Sequence, residues 1–170
     1  MKKYYLPPRE IWETLYSRPS GSSEEISASV RQIIDDVRSY GDKALIDYSL
    51  KFDGVVPDNL KVSSDEIENA CREVPQSLRR SIETAKQNIG KFHAAIMESG
   101  STVITSVGVK CWNKRVPVEK VGLYIPGGSA PLFSTVLMLG IPARLAGCNE
   151  IIICTPAGRD GKVNPVILFT

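Results

Sequence analysis

The stretch VGLYIPGGSA, Val121 to Ala130, holds the residues of this chain best spaced for chemistry. An apolar, strand-like run carries Tyr124 near its end. It breaks at Pro126-Gly127-Gly128, and the small polar Ser129 follows. Glycines let a backbone come close to a ligand, and a helix N-terminus offers unpaired N–H groups to a phosphate. A turn at the C-terminal end of a parallel strand, leading toward a helix, is where open α/β sheets bind ligands. The dinucleotide spacing G-x-G-x-x-G is absent, so two readings of PGGSAPLFST stand. One is a chain reversal, with Ser134 or Thr135 capping the next helix. The other is a backbone cradle for a ligand. Tyr124 divides in the same way: its ring fills the core with the hydroxyl at the rim, or it forms one wall of a cofactor slot.

The remaining candidates offer less. His93, the one histidine, sits beside Phe92 and reads as structural. No serine or cysteine nucleophile is marked by a local motif. Cys71, Cys111, Cys148 and Cys154 form no C-x-x-C pair and read as buried or idle thiols. A zinc site takes about four ligands, usually Cys and His in close local pairs. The chain's own residues cannot build an ordinary site of that kind. Asp35-Asp36 and Asp65-Glu66 fall at helical or capping positions, where carboxylates partner the helix dipole or face solvent. Lys110, Lys114, Arg115 and Lys120 read as solvent-facing charges.

The elements that must position the turn are legible in the periodicity. Ser22 and Glu25 have capping-box spacing, and Ile26, Val30, Ile33, Ile34 and Val37 then mark one helical face. Gly41 ends that helix, and Asp42 can cap the next, which carries Leu45, Tyr48 and Phe52. Ser63 and Glu66 repeat the capping-box spacing before a short helix that Pro75 closes. A long helix follows from about Gln76 to Ser99. These helices are expected to bury their apolar stripes against one another. After Gly100, STVITSV and VKCWNKRVPV read as two strands of a hairpin around Gly108. VGLYI, a helix from about Ser134 to Ala146, and EIIICTP then make a strand–helix–strand unit. Pro142 should end or kink its helix near Ile141. Ile151 to Cys154 is apolar throughout, so that strand is expected to be covered on both faces.

The totals bound the class. At 170 residues the chain can form one domain or two small ones. With 42% hydrophobic and 24% charged residues it reads as an ordinary soluble protein, and its net charge of +2 argues against a dedicated nucleic-acid binder. MKKYYLPPREIW has no apolar signal-peptide core, and no apolar run is long enough to span a bilayer, so a cytoplasmic location is expected. In GKVNPVILFT, Asn164 suits an N-cap and Pro165 the first helical position. The apolar helix they open lacks a C-cap glycine, and two parallel strands make a small sheet. The expectation is an N-terminal piece of a longer protein.

The block VPVEKVGLYIPGGSAPLFSTVLMLGIPARLAGCNEIIICTP resembles the histidinol dehydrogenases, and so do YGDKALIDYSLKFDG and AKQNIGKFHAA in the expected order. The resemblance covers nearly the whole chain from about Ser29. It implies an α/β fold: an N-terminal helical region over residues 1–100, then a β-hairpin and the first βαβ unit of an incomplete Rossmann-like domain over 101–170. It also implies a zinc- and NAD-dependent oxidation of L-histidinol to L-histidine by an intertwined homodimer. Carried over by position, Tyr124 matches a residue used at NAD, with Gly127, Gly128 and Ser129 beside it as a weaker extension. The family's zinc ligands, acid/base pair and substrate contacts fall in segments beyond these residues, so the piece alone is expected to be inactive and to hold no zinc. The competing expectation is a non-catalytic dimerisation or nucleotide-binding module.

Overall fold

The structure is a computed structural model that describes residues 3–17, 23–97, 100–127 and 130–170. The chain divides into two compact units, Met1–Leu45 and Ile46–Thr170. In the first, a 3-10 turn at Arg9–Ile11 leads into α1, Trp12–Tyr16. The Trp12 indole N–H donates to the Pro7 carbonyl at 2.9 Å, and the Arg9 guanidinium stands 5.6 Å from the ring centroid. Helix α2, Ser23–Tyr40, follows; Ser22, its expected cap, lies outside the described residues. Gly41 ends α2 in the left-handed conformation that glycine adopts without strain. Asp42 is then the first residue of α3, Asp42–Asp53, rather than its cap.

The expected burial of helical stripes against one another is corrected here. Ile26, Val30 and Ile34 of α2 are exposed. Among the described residues the helices that pack do so on partners later in the chain. Helix α4, Ser64–Glu73, packs on α7, Pro165–Phe169, and α5, Gln76–Ala95, packs on α6, Phe133–Ala146. Small and branched residues fill the contacts: Ala70, Val74 and Ile82 are buried. The Arg79 guanidinium donates to the Val74 carbonyl at 2.7 Å and stacks 5.6 Å from the Phe169 ring centroid.

Helix α4 starts as its sequence requires. The Glu66 backbone N–H donates to Ser63 Oγ at 3.2 Å, and the Ser63 backbone N–H donates to Glu66 Oε2 at 2.8 Å. The box satisfies two donors that a helix start otherwise leaves open. Helix α5 ends at Ala95, short of the expected Ser99, which lies outside the described residues.

The hairpin forms with shorter strands than expected. Strand β1, Thr102–Ser106, pairs antiparallel with β2, Val109–Trp112, and a register shift between Ile104 and Ser106 leaves Thr105 opposite no partner. The second strand stops before Asn113 instead of running to Val118; the segment holds Pro117, which has no N–H for a ladder. Strand β3, Lys120–Tyr124, pairs in parallel with β4, Glu150–Cys154, with α6 crossing between them. Two expectations for α6 are corrected. Ser134 and Thr135 lie inside the helix, whose cap position is Leu132 with no side-chain bond. Pro142 does not end it, since the helix runs on to Ala146. Only the bond that residue 142 would give to the Met138 carbonyl is lost. Past that point a glycine cap closes the helix: Cys148 N–H donates to the Ala143 carbonyl and Gly147 N–H to the Arg144 carbonyl, both at 3.1 Å. Gly147, at φ +90°, supplies the left-handed residue this cap needs.

Cover on both faces of β4 is also corrected. On the α6 side Leu123 and Ile125 of β3 are buried, Ile125 completely, while Ile153 of β4, paired with Leu123, is still 44% exposed. The opposite face, which carries Gly122, Tyr124, Ile152 and Cys154, is exposed. One crossover helix covers one side of a two-stranded sheet, and among the described residues nothing shelters the other. Among them, too, no helix is long and apolar enough to cross a membrane.

The capping box sets a pH dependence. The Glu66 carboxyl sits below its ordinary value of 4.5, first because it accepts the Ser63 backbone N–H, then through the Ser63 hydroxyl, with a smaller pull from Lys162. A carboxyl lowered in the folded state adds stability above its unfolded pKa and loses it as pH falls through the folded one. Thermal unfolding followed from pH 7 to about pH 3 should therefore show the parent losing more stability on acidification than Glu66→Gln, which keeps the box's shape. Ser63→Ala should cost about 1 kcal/mol at pH 7.

Candidate functional site at the strand ends

The parallel ladder runs through the Tyr124–Cys154 pair and then one rung further, where Ile125 N–H donates to the Cys154 carbonyl at 2.9 Å. Beyond it stand Pro126 on one strand and Pro156 on the other. The next donor due is residue 156, toward the Ile125 carbonyl, and Pro156 has no N–H, so the ladder stops there. A cleft of about 810 Å³ opens here, beyond the C-terminal ends of both strands. Its near wall is Pro126, Gly127 and Ala130–Leu132, and its floor is the Thr155–Lys162 loop. Its far wall comes from α4 and α7, and includes Glu66, Arg72, Asn164 and Ile167. The volume lies within the ~300–1,000 Å³ usual for small-molecule pockets.

The cleft rests on a small core. Ile125, wholly buried, meets Val136 of α6 and Ile167 of α7, with Phe133 and Val163 around them. Asn164 starts α7 by accepting the Val166 N–H at 2.9 Å, with Pro165 in the first helical turn as its sequence indicates. The loop beneath is held locally: Gly158 N–H donates to the Lys162 carbonyl at 2.8 Å and Lys162 N–H to Asp160 Oδ1 at 3.1 Å. Acidic Glu66 and Asp160 share the rim with basic Arg72 and Lys162. The cleft therefore has no single-signed field, and backbone groups and shape must do much of any selecting.

The site residues expected from sequence fall on different sides of this feature. Gly127 is on the cleft wall. Tyr124 is not; it stands 63% exposed on the open face of the sheet, opposite α6 and paired with Cys154. Gly128 and Ser129 lie outside the described residues. His93 lies apart, its ring edge-on to Phe92 at 5.5 Å, beside a separate groove that Arg115 also lines. Lys120 pairs with Glu150 at 2.9 Å across the strand starts. Among the described residues no three His, Cys, Asp or Glu side chains come together as a metal site would require. The loop after β4 was missed in the sequence, although the rule that marks the turn after β3 applies equally to it. No sequence signal brings Arg72 and Asn69 to the far wall; helix packing alone puts them there.

These features define an open α/β protein with a cleft at the C-terminal edge of its parallel strands, the edge where sheets of this class bind ligands. The family model described as histidinol dehydrogenase matches residues 16–170. The histidinol dehydrogenase of Bacteroides fragilis is 50% identical over 169 residues, which are 99% of this chain and 40% of the relative. That of Campylobacter jejuni is 46% identical over 158 residues, covering 92% of this chain and 36% of the relative. The crystal structure of histidinol dehydrogenase from Elizabethkingia anophelis superposes with a TM-score of 0.87 at 47% identity, across 96% of this chain and 38% of that one. The chain belongs to the histidinol dehydrogenase family, and it spans about 40% of the length of the Bacteroides relative. The mixed α/β fold expected from the sequence, helices first, then a small antiparallel sheet and a parallel one, is the fold it has.

Because Ile125 links the last rung, α6 and α7, its truncation should be felt throughout this unit. Ile125→Ala is expected to destabilise the chain by about 2–5 kcal/mol, read from the urea midpoint. A conservative change at exposed Ile104 should leave that midpoint nearly unmoved.

Proposed function

We propose that the chain forms the N-terminal portion of a histidinol dehydrogenase that oxidises L-histidinol, through the aldehyde, to L-histidine. What carries this is the match to enzymes of that name along essentially the whole chain, at identities near one half. On this reading residues 1–100 are a helical region, and 101–170 begin a Rossmann-like domain. The whole protein works in the cytoplasm as a homodimer whose active sites draw on both subunits.

The reaction removes two hydrides from a primary alcohol and adds water at the aldehyde stage. NAD accepts the hydrides when bound. The cleft and its glycine turn offer a fitting place for part of the dinucleotide: the volume suffices, and Gly127 lines it. Tyr124, with Gly127, Gly128 and Ser129 beside it, is our choice of cofactor-contacting residues. Its exposed ring gives a planar apolar wall just before the turn, with a hydroxyl at the edge. Zinc is different. Because the described residues gather no ligand set, no step is derived through the metal, and we assign zinc and the proton-transferring groups to residues outside this chain.

An assay with L-histidinol, NAD and zinc tests this. A full-length histidinol dehydrogenase carrying these residues should form two NADH per histidinol, while the 170-residue chain alone should form none. Turnover by the chain alone would overturn the assignment of the chemistry elsewhere. In the full-length enzyme Tyr124→Ala should raise KM for NAD about tenfold, the worth of one aromatic contact of ~1.4 kcal/mol.

A further inference from the structure

Gly127 is a glycine for reasons of space. Its φ is not among the positive values, so the backbone there does not need glycine's left-handed freedom. A Cβ built on it, however, would lie 2.7 Å from Cγ of Pro156, closer than real Cβ contacts come. The ring of Pro156 therefore fills the notch that a side chain at 127 would occupy. Such an obstacle cannot swing aside as the far end of a lysine would, because a proline ring is closed onto its own backbone.

The place of this contact gives it significance. The ladder between β3 and β4 ends at the Ile125 N–H, and Pro156, the next residue due to donate, gives it no further rung. Past that point the two backbones are free to diverge as the cleft opens. The seat of Pro156 against Gly127 ties them together again, on the cleft wall itself. Pro156 is in turn carried by β4, whose register with β3 is fixed over five residue pairs.

We infer that Pro156 is a positioning residue for the cofactor turn: its ring keys into Gly127 and sets where that residue stands beyond the ends of the parallel strands. The inference rests on the reading of that turn as part of the NAD site. The ring touches neither reacting atoms nor substrate. It fixes Gly127 on the cleft wall, and small displacements of groups that position a ligand are costly in binding and rate.

The geometry supplies its own test. In Pro156→Ala only the Cβ remains, and that atom lies 3.8 Å from a Cβ at 127, an ordinary contact. Gly127→Ala should lower the melting temperature of the 170-residue chain, and adding Pro156→Ala should recover most of the loss. In the full-length enzyme, Pro156→Ala should raise KM for NAD about tenfold and leave KM for L-histidinol unchanged. The double variant should recover melting temperature without recovering KM for NAD, since the space is restored but the key is gone. Additive losses of melting temperature would refute the interlock. A normal KM for NAD in Pro156→Ala, with Tyr124→Ala still impaired, would reduce Pro156 to packing and overturn the inference. If Tyr124→Ala and every turn variant keep a normal KM for NAD, the NAD reading itself falls and the positioning role with it.

Discussion

Ile125 holds this part of the molecule together through two different forces. Its backbone N–H closes the last rung of the parallel ladder, and its side chain is, among the described residues, the one large side chain sealed completely from solvent. The first interaction fixes where the strands end. The second fixes which helices stand over that end, because Val136 and Ile167 meet on the same side chain. Once α7 is placed there, its packing on α4 brings Glu66 and Arg72 to the cleft. The cleft is thus a consequence of one buried residue, a proline that stops a ladder, and a short helix pulled against a longer one. Loss of the apolar contact would let the far wall drift even if every backbone bond at the turn survived.

The one-sided sheet shapes the electrostatics and the chemistry alike. Alternation along β3 sends Leu123 and Ile125 under α6, and by the same geometry sends Tyr124 outward beside Ile152 and Cys154. The tyrosine and the glycine turn are neighbours in sequence yet address different spaces. A ligand touching both must cross the strand ends, running from the open face over the turn into the cleft. An extended molecule with a flat ring system and a charged, flexible middle suits that path better than a compact one. The rim pairs carboxylates with cations, so an anionic group there would rely on backbone N–H donors more than on bulk positive potential.

Local rules were legible where the atoms that decide them lie within a few residues. Ser63 and Glu66 announce their box, Asn164-Pro165 their helix start, Gly41 its helix end. The strand–helix–strand order was also legible, since period and turn chemistry agree along it. The failures share a cause. Ser134 looks like a cap, but the cap position of α6 falls two residues sooner, at Leu132. Pro142 looks like a terminator, but packing on α5 and the glycine cap outlast one missing bond. The apolar run Ile151–Cys154 looks like a strand buried on both faces, and only the fold shows which face is covered. Of the site, the turn was visible and the walls were not, because Asn69, Arg72 and Asn164 come together only through α4–α7 packing.

Glu66 shows how stability and site are joined in so small a unit. Its carboxylate is the acceptor that holds the start of α4, and the same residue lines the cleft within the electrostatic reach of Lys162. Protonation would weaken the capping box and leave Lys162 less balanced at the rim in the same step. The helix terminus that loosens is the one that brings Glu66 itself to the cleft, while Arg72 stands in the last turn at the other end. Acid would therefore act on the far wall before it reached the core, since Ile125, Val136 and Ile167 contain nothing that titrates. The near wall should hold under the same conditions, because it depends on a proline ring seated against a glycine, a contact of shape that carries no charge.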